Sequence, residues 1–169
     1  MHLIIDGYNL IYAGRLLPSA TPHDLEKERD HLVDQLSSYR QTRPYPITVV
    51  FDGWQGGWAA EKRERKKGIE LIFSSLGEKA DEVIKRLVRE KGSGTVVVTS
   101  DREIARYAEK MDVAVIPSYQ FKGKMEMSAF AMEKGIDEDE TENRGAKQKG
   151  PSRRLSKKER RIRTALKKL

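Results

Sequence analysis

Four aspartates are the residues of this chain best placed to do chemistry. Asp6 closes the run Leu3-Ile4-Ile5-Asp6-Gly7-Tyr8-Asn9, Asp52 closes Ile47-Thr48-Val49-Val50-Phe51-Asp52-Gly53, and Asp101 closes Thr95-Val96-Val97-Val98-Thr99-Ser100-Asp101. Asp81 stands in the first turn of a predicted helix. Apolar runs without polar alternation read as strands buried on both faces, as in the middle of a parallel sheet. Open α/β sheets bind ligands at the carboxyl ends of such strands. One edge therefore receives three carboxylates, and the helix start brings a fourth to its rim. Two carboxylates about 4 Å apart repel by roughly 1 kcal/mol in water and about 4 kcal/mol at an effective dielectric of 20. That is a heavy load on a domain stable by about 5–15 kcal/mol. A hard divalent cation relieves it. With no cysteine, and histidine only at positions 2, 23 and 31, an oxygen-ligand set suits Mg2+ or Mn2+ better than zinc.

Each acid also has an ordinary reading on its own. An Asp at a strand end is common turn chemistry, and Asp52-Gly53 is a frequent turn dipeptide. Ser100-Asp101-Arg102-Glu103 fits a capping box, and Asp81 gains from its helix dipole wherever it points. The chemical reading rests on convergence, which the intervening elements must supply.

Thr21-Pro22-His23-Asp24 starts a helix over about 22–42, with Leu25, Leu32, Val33, Leu36 and Tyr39 at helical spacing. Pro44 and Pro46 end it and lead to a strand at 47–52. Ile69 to Phe73 predicts a strand, 78–91 a helix, 95–99 a strand, 101–110 a helix, 113–116 a strand stopped by Pro117, and 125–134 a helix closed by Gly135. This order predicts an α/β fold with a central, mainly parallel sheet of about five strands and helices on both faces.

The stretch 53–68 is glycine-rich early and charged late, and it follows Asp52 directly. Trp54 and Trp58 there suit stacking on unpaired bases, worth about 1–3 kcal/mol each. Lys62, Arg63, Arg65, Lys66 and Lys67 suit phosphates. The plainer reading packs one Trp under the loop and leaves the charges as a solvated helix face. Arg102 and Lys79 lie close to the acids as further candidates.

The net charge of +7 divides unevenly. Residues 1–142 hold 21 Lys and Arg against 25 Asp and Glu, whereas 143–169 hold 12 against 1. The expected division is a domain over 1–135 and an acidic-then-basic tail over 136–169, disordered but with a possible helix from Ser156 to Leu169. Its Arg153, Arg154, Lys157, Lys158, Arg160 and Arg161 suit sequence-neutral, salt-dependent binding to nucleic acid, ribosomal RNA included. The apolar runs are too short to span a membrane, the N-terminus lacks a signal-peptide pattern, and the lack of cysteine fits a reducing compartment. A cytoplasmic location is the expectation.

Ile5-Asp6-Gly7-Tyr8-Asn9, Val50-Phe51-Asp52-Gly53, Ala80-Asp81 and Thr99-Ser100-Asp101 stand in an order and spacing that resembles the NYN-domain nucleases, and more narrowly the bacterial YacP-like group, relatives of the PIN-domain ribonucleases. The resemblance covers about residues 1–134. It implies a PIN-like three-layer sandwich and a Mg2+- or Mn2+-dependent endoribonuclease acting on RNA. The metal-site acids carry over onto Asp6, Asp52, Asp81 and Asp101, with Asn9 and Ser100 as supporting polar groups. On this reading Asp6, Asp81 and Asp101 ligate metal directly, Asp52 acts through a water, and Asn9 fixes the first strand's turn. The tail after Gly135 stands outside the pattern.

Two other classes compete. A non-catalytic RNA-binding or ribosome-associated module on the same fold would use the acids as caps and turns. It predicts no metal-dependent cleavage and tolerance of Asp→Asn changes. A nucleotide-binding or phosphoacceptor domain fits poorly, because no Gly-x-Gly-x-x-Gly or P-loop follows a strand and Pro117 stands where a receiver domain needs a lysine.

Overall fold

The computed structural model describes residues 1–13, 22–53, 59–135 and 156–169. In chain order the elements are β1 (His2–Asp6), α1 (Gly7–Ile11), α2 (Pro22–Thr42), β2 (Ile47–Phe51), β3 (Lys62–Lys66), β4 (Ile69–Phe73), α3 (Ala80–Lys91), β5 (Thr95–Val98), α4 (Arg102–Lys110), β6 (Ala114–Ile116), α5 (Ser118–Lys134) and α6 (Lys157–Lys168). They build a six-stranded sheet of order β3-β4-β2-β1-β5-β6. Every pairing is parallel except β3 with β4. β1 lies between β2 and β5, so the three strands ending near Asp6, Asp52 and Asp101 are side by side.

Successive side chains on a strand point to opposite faces, and this divides the core in two. Leu3 and Ile5 pack beneath α2 and α5 with Leu36, Phe51, Val98 and Phe121. Ile4 points the other way, onto Val83, Ile84 and Leu87 of α3 and Ile104 of α4. The result is a three-layer α/β sandwich. Asp6 follows directly after three residues that are fully buried, so the sheet fixes its position.

The sheet has one strand more than the sequence suggests, and the extra one is β3. Its Lys-Arg-Glu-Arg-Lys composition reads as a solvated loop or helix face, yet it forms a hairpin with β4 through Lys67 and Gly68. Both turn residues have positive φ, 51° and 80°, as a two-residue hairpin with right-handed strand twist requires. An edge strand tolerates this composition, and its charges discourage pairing with another chain.

Two helix starts are not legible in the sequence. α1 begins at Gly7, with Asp6 as its cap. α5 begins at Ser118 behind Pro117 rather than near Met125. The end of the chain departs further. α6 carries a Ser156–Glu159 capping box and docks on the domain, burying Ala165 and Leu169. Tyr39 Oη and Arg43 Nε donate to the Leu169 main-chain oxygen at 2.7 and 2.9 Å, and Tyr45 Oη donates to that of Lys168 at 2.9 Å. The stretch predicted to be disordered, 136–155, lies outside the described residues. Among the described residues no helix is long and apolar enough to cross a membrane.

An acidic rim as the candidate active site

The carboxyl edge of the sheet gathers the four aspartates by different devices. Asp6 is the last residue of β1 and accepts from Asn9 N at 3.3 Å and from Thr99 Oγ1 at 2.9 Å. Asp52 follows β2, and its Oδ1 accepts from Ala80 N at 2.7 Å. Lys79, at the cap position of α3, makes no side-chain cap bond, so Asp52 satisfies that helix start from another strand. This bond holds Asp81, one residue on, against the rim. Asp101 caps α4, its Oδ1 accepting from Glu103 N at 2.7 Å and Ile104 N at 3.0 Å.

The glycines beside these acids are close-packing residues rather than turn formers. A Cβ on Gly7 would come within 2.2 Å of the Phe51 ring, and one on Gly53 within 1.9 Å of the Ser74 carbonyl oxygen. Gly53 N also donates to Ser74 Oγ at 3.0 Å. The chain on either side of the rim therefore has little freedom to move.

Polar side chains join the strand ends. Thr99 donates to Asp6, and its oxygen accepts from Asp101 N at 3.0 Å. Asn9 Oδ1 accepts from Ser100 N at 2.9 Å and Ser118 Oγ at 2.6 Å, while Ser118 N donates to Ser100 Oγ at 3.1 Å. Asn9 and Ser100 thus lie in one hydrogen-bonded network at the strand ends. Thr99 and Ser118, both buried, belong to the same network and were missed. In the sequence Thr99 is one more polar residue in the run before Asp101, and Ser118 lies ahead of the stretch that predicts a helix.

Electrostatics show that the acids feel one another. Burial pushes the Asp6 carboxyl up to about 6, with Asp81 and Asp52 adding to the rise against the hydrogen bonds from Thr99 and Asn9. Asp81 is also raised, by burial first and then by Asp101 and Asp52. Even so, among the described residues no group of three or more His, Asp or Glu side chains is close enough to hold a metal ion directly. Direct ligation by Asp6, Asp81 and Asp101 thus has no ready-made three-carboxylate cluster behind it among the described residues, and Asp101 Oδ1 is engaged in the α4 cap. The donor set still fits a hard cation. Mg2+ keeps several of its waters and is commonly held by one or two carboxylates plus substrate phosphates. Asp52 and Asp101 each retain an oxygen outside their backbone bonds.

The basic candidates spread out. The β3 register, Lys62 opposite Phe73 through Lys66 opposite Ile69, carries that strand away from the rim, and only Lys62 stays near it. Arg63 pairs with Glu61, Lys66 with Asp30 and Lys67 with Asp34. Arg65 is exposed, as is Arg102 beside Asp101. Arg160 and Arg161 line a groove with Met1, Gly94 and Thr95, at the opposite edge of the sheet, and Arg161 pairs with Asp112. Trp54, Trp58, Arg153 and Arg154 lie outside the described residues, as do the side chains of Lys157 and Lys158.

Fold and rim together define a domain of the PIN-like kind, a parallel α/β sheet with acids gathered at its carboxyl edge. Residues 3–168 match the model of the YacP-like NYN domain, and the chain belongs to that family. NYN domains are PIN-like nucleases. The match runs through α6, so the C-terminal helix is inside the family pattern, not outside it as the sequence reading had it. A protein of Bacillus subtilis (strain 168) described as uncharacterized protein YacP is 32% identical over 87 residues, 52% of this chain and 51% of that protein. The match spans about half the length of that relative. Among solved structures, Rae1 (YacP) from Bacillus subtilis superposes with a TM-score of 0.63 at 24% identity, covering 87% of this chain and 86% of that one. Its tryptophan-to-leucine mutant gives 0.67 at 23% identity, covering 84% and 86%. At these identities the likeness is one of fold.

Proposed function

We propose that the chain is a Mg2+- or Mn2+-dependent endoribonuclease whose active site is the acidic rim. One observation carries this reading: Asp6 sits half-buried at the end of the central strand within reach of the charges of Asp52 and Asp81, and its carboxyl is pushed up to about 6. A carboxylate so destabilised in its ionised form gains from a nearby cation. Asp6 and Asp81 are the residues to hold it, with Asp52 and Asp101 reaching it through their remaining oxygens or through water. Bound there, a divalent ion would lower the pKa of a water and offset charge on the scissile phosphate.

The chain's own residues do the positioning. Thr99 Oγ1 and Asn9 N each donate to one oxygen of Asp6 and so orient its carboxyl. Asp52 holds the start of α3 and thereby Asp81. Asn9, Ser100 and Ser118 bind the turns after β1 and β5 to the start of α5. RNA is the proposed partner, by family resemblance and by the cations around the sheet.

A second reading has an observation of its own. Asp101 and Asp52 each accept from backbone N–H groups, as structural caps do, which favours a non-catalytic RNA-binding or ribosome-associated module. Incubating labelled single-stranded RNA and DNA with Mg2+, Mn2+ or EDTA, beside Asp6→Asn, separates the two. The nuclease reading expects cation-dependent cleavage of RNA that Asp6→Asn abolishes. No cleavage with either cation, or equal cleavage by the variant, contradicts it.

A further inference from the structure

An aromatic row runs beside the acids on the α2 side of the sheet. Phe73 ends β4 and stacks on Phe51, which ends β2, with ring centroids 5.6 Å apart. Tyr8 meets Phe51 edge-on at 5.1 Å, and Tyr12 lies nearly parallel to Tyr8 at 6.3 Å. The two phenylalanines are buried, whereas both tyrosines are partly exposed. Tyr8 is two residues from Asp6, and Phe51 adjoins Asp52, so the row follows the rim.

Arg29 of α2 lies across this row. Its Nη1 donates to Tyr8 Oη at 2.8 Å, and its guanidinium sits over Phe73, 5.8 Å from the ring centroid. It is half-buried, yet it pairs with no carboxylate among the described residues. Arg86, also half-buried, is matched by Glu78 and Glu61, and Arg161 by Asp112. A guanidinium offers five N–H donors in a rigid fork suited to phosphate. One bond to a phenol and one aromatic face hold that fork in place without neutralising it.

We propose that Arg29 with the Tyr8–Tyr12 pair is a contact site for single-stranded RNA: Arg29 takes a backbone phosphate next to the one cut, and Tyr12 stacks on a neighbouring base. This rests on the rim being the nuclease site and adds the substrate's form to it, since a base paired in a duplex cannot offer its face to Tyr12. Tyr8 is the positioning residue, holding Arg29 by its hydroxyl and Tyr12 by its ring.

The test measures binding apart from hydrolysis, with the full chain carrying Asp6→Asn in EDTA and a short fluorescein-labelled single-stranded RNA as probe. Adding Arg29→Met is expected to weaken binding about tenfold and to flatten the log K against log salt slope by about 0.7, the share of one phosphate contact on a single strand. Tyr12→Ala should weaken it about fivefold or more, and should leave affinity for a duplex of the same sequence unchanged. Tyr8→Phe, which keeps the ring and frees Arg29, should fall between. If Arg29→Met does not fold, the two tyrosine variants decide. A folded Arg29→Met with unaltered affinity and salt slope overturns the proposal, as does absence of probe binding without the substitution. Arg29-dependent binding with no cleavage under any cation would overturn the nuclease reading alone.

Discussion

Thr99 donates its hydroxyl to Asp6 Oδ2 at 2.9 Å, joining the carboxyl ends of two neighbouring parallel strands. The same oxygen accepts from Asp101 N, so one buried threonine ties two of the four acids together. Thr99→Val keeps the shape and removes both interactions. It should cost about 1–3 kcal/mol in denaturant unfolding, the penalty for partners left unsatisfied, and lower single-turnover cleavage at least tenfold. Unchanged cleavage would show that the tie is purely structural.

Asp6 gives the protein a pH signature. Its carboxyl, raised from 3.8 to about 6, is stabilising while protonated. That contribution is complete below about pH 4 and is lost as pH rises through 6, amounting to at most about 3 kcal/mol at 1.36 kcal/mol per pH unit. In metal-free buffer Asp6→Asn should flatten stability across this window and raise the melting temperature near pH 7. Thermal melts from pH 4 to pH 8, with and without Mg2+, check it. A variant that melts lower at pH 7 would mean that the carboxylate is already well accommodated.

The glycines next to the acids should resist substitution for reasons of space. Gly53→Ala drives a methyl into the Ser74 carbonyl, a backbone atom that cannot step aside. Gly7→Ala meets a ring instead. Overpacking of this kind costs about 1–3 kcal/mol, and Gly53→Ala should be the worse of the two. Chemical denaturation of both variants measures the difference, and a pair of wild-type-like curves would argue against the packing described.

α6 should be part of the folded domain. Deleting residues 156–169 uncovers the sheet beside β6 and leaves the hydroxyls of Tyr39 and Tyr45 without their partners in the helix. We expect a melting temperature lower by several degrees, in line with about 2 kcal/mol or more of lost burial and bonding. Calorimetry of the truncated chain tests this, and an unchanged transition would return α6 to the status of an appended tail.

How much the sequence discloses depends on burial. Leu3-Ile4-Ile5, Val49-Val50-Phe51 and Val96-Val97-Val98 are apolar on both faces because helices cover both faces, so strands, parallel order and the edge receiving the acids are all readable. β3 is not, because an edge strand needs no apolar residues and its turn uses Lys67 in a conformation usually left to Asn or Gly. α6 is thinly apolar because its contact is small and completed by hydrogen bonds from Tyr39, Arg43 and Tyr45. The site divides in the same way. Acids at strand ends announce themselves, whereas the proposed role of Arg29 depends on its having no carboxylate partner among the described residues, which only three dimensions reveal.

The proposed nuclease requires the rim to take up a divalent cation. Electron paramagnetic resonance of Mn2+ titrated with the protein near pH 7 measures this directly, since bound Mn2+ loses its free-ion signal. Saturable binding is expected, competed by Mg2+ and lost or sharply weakened in both Asp6→Asn and Asp81→Asn. Equal Mn2+ uptake by wild type and both variants would place the cation elsewhere and contradict the account.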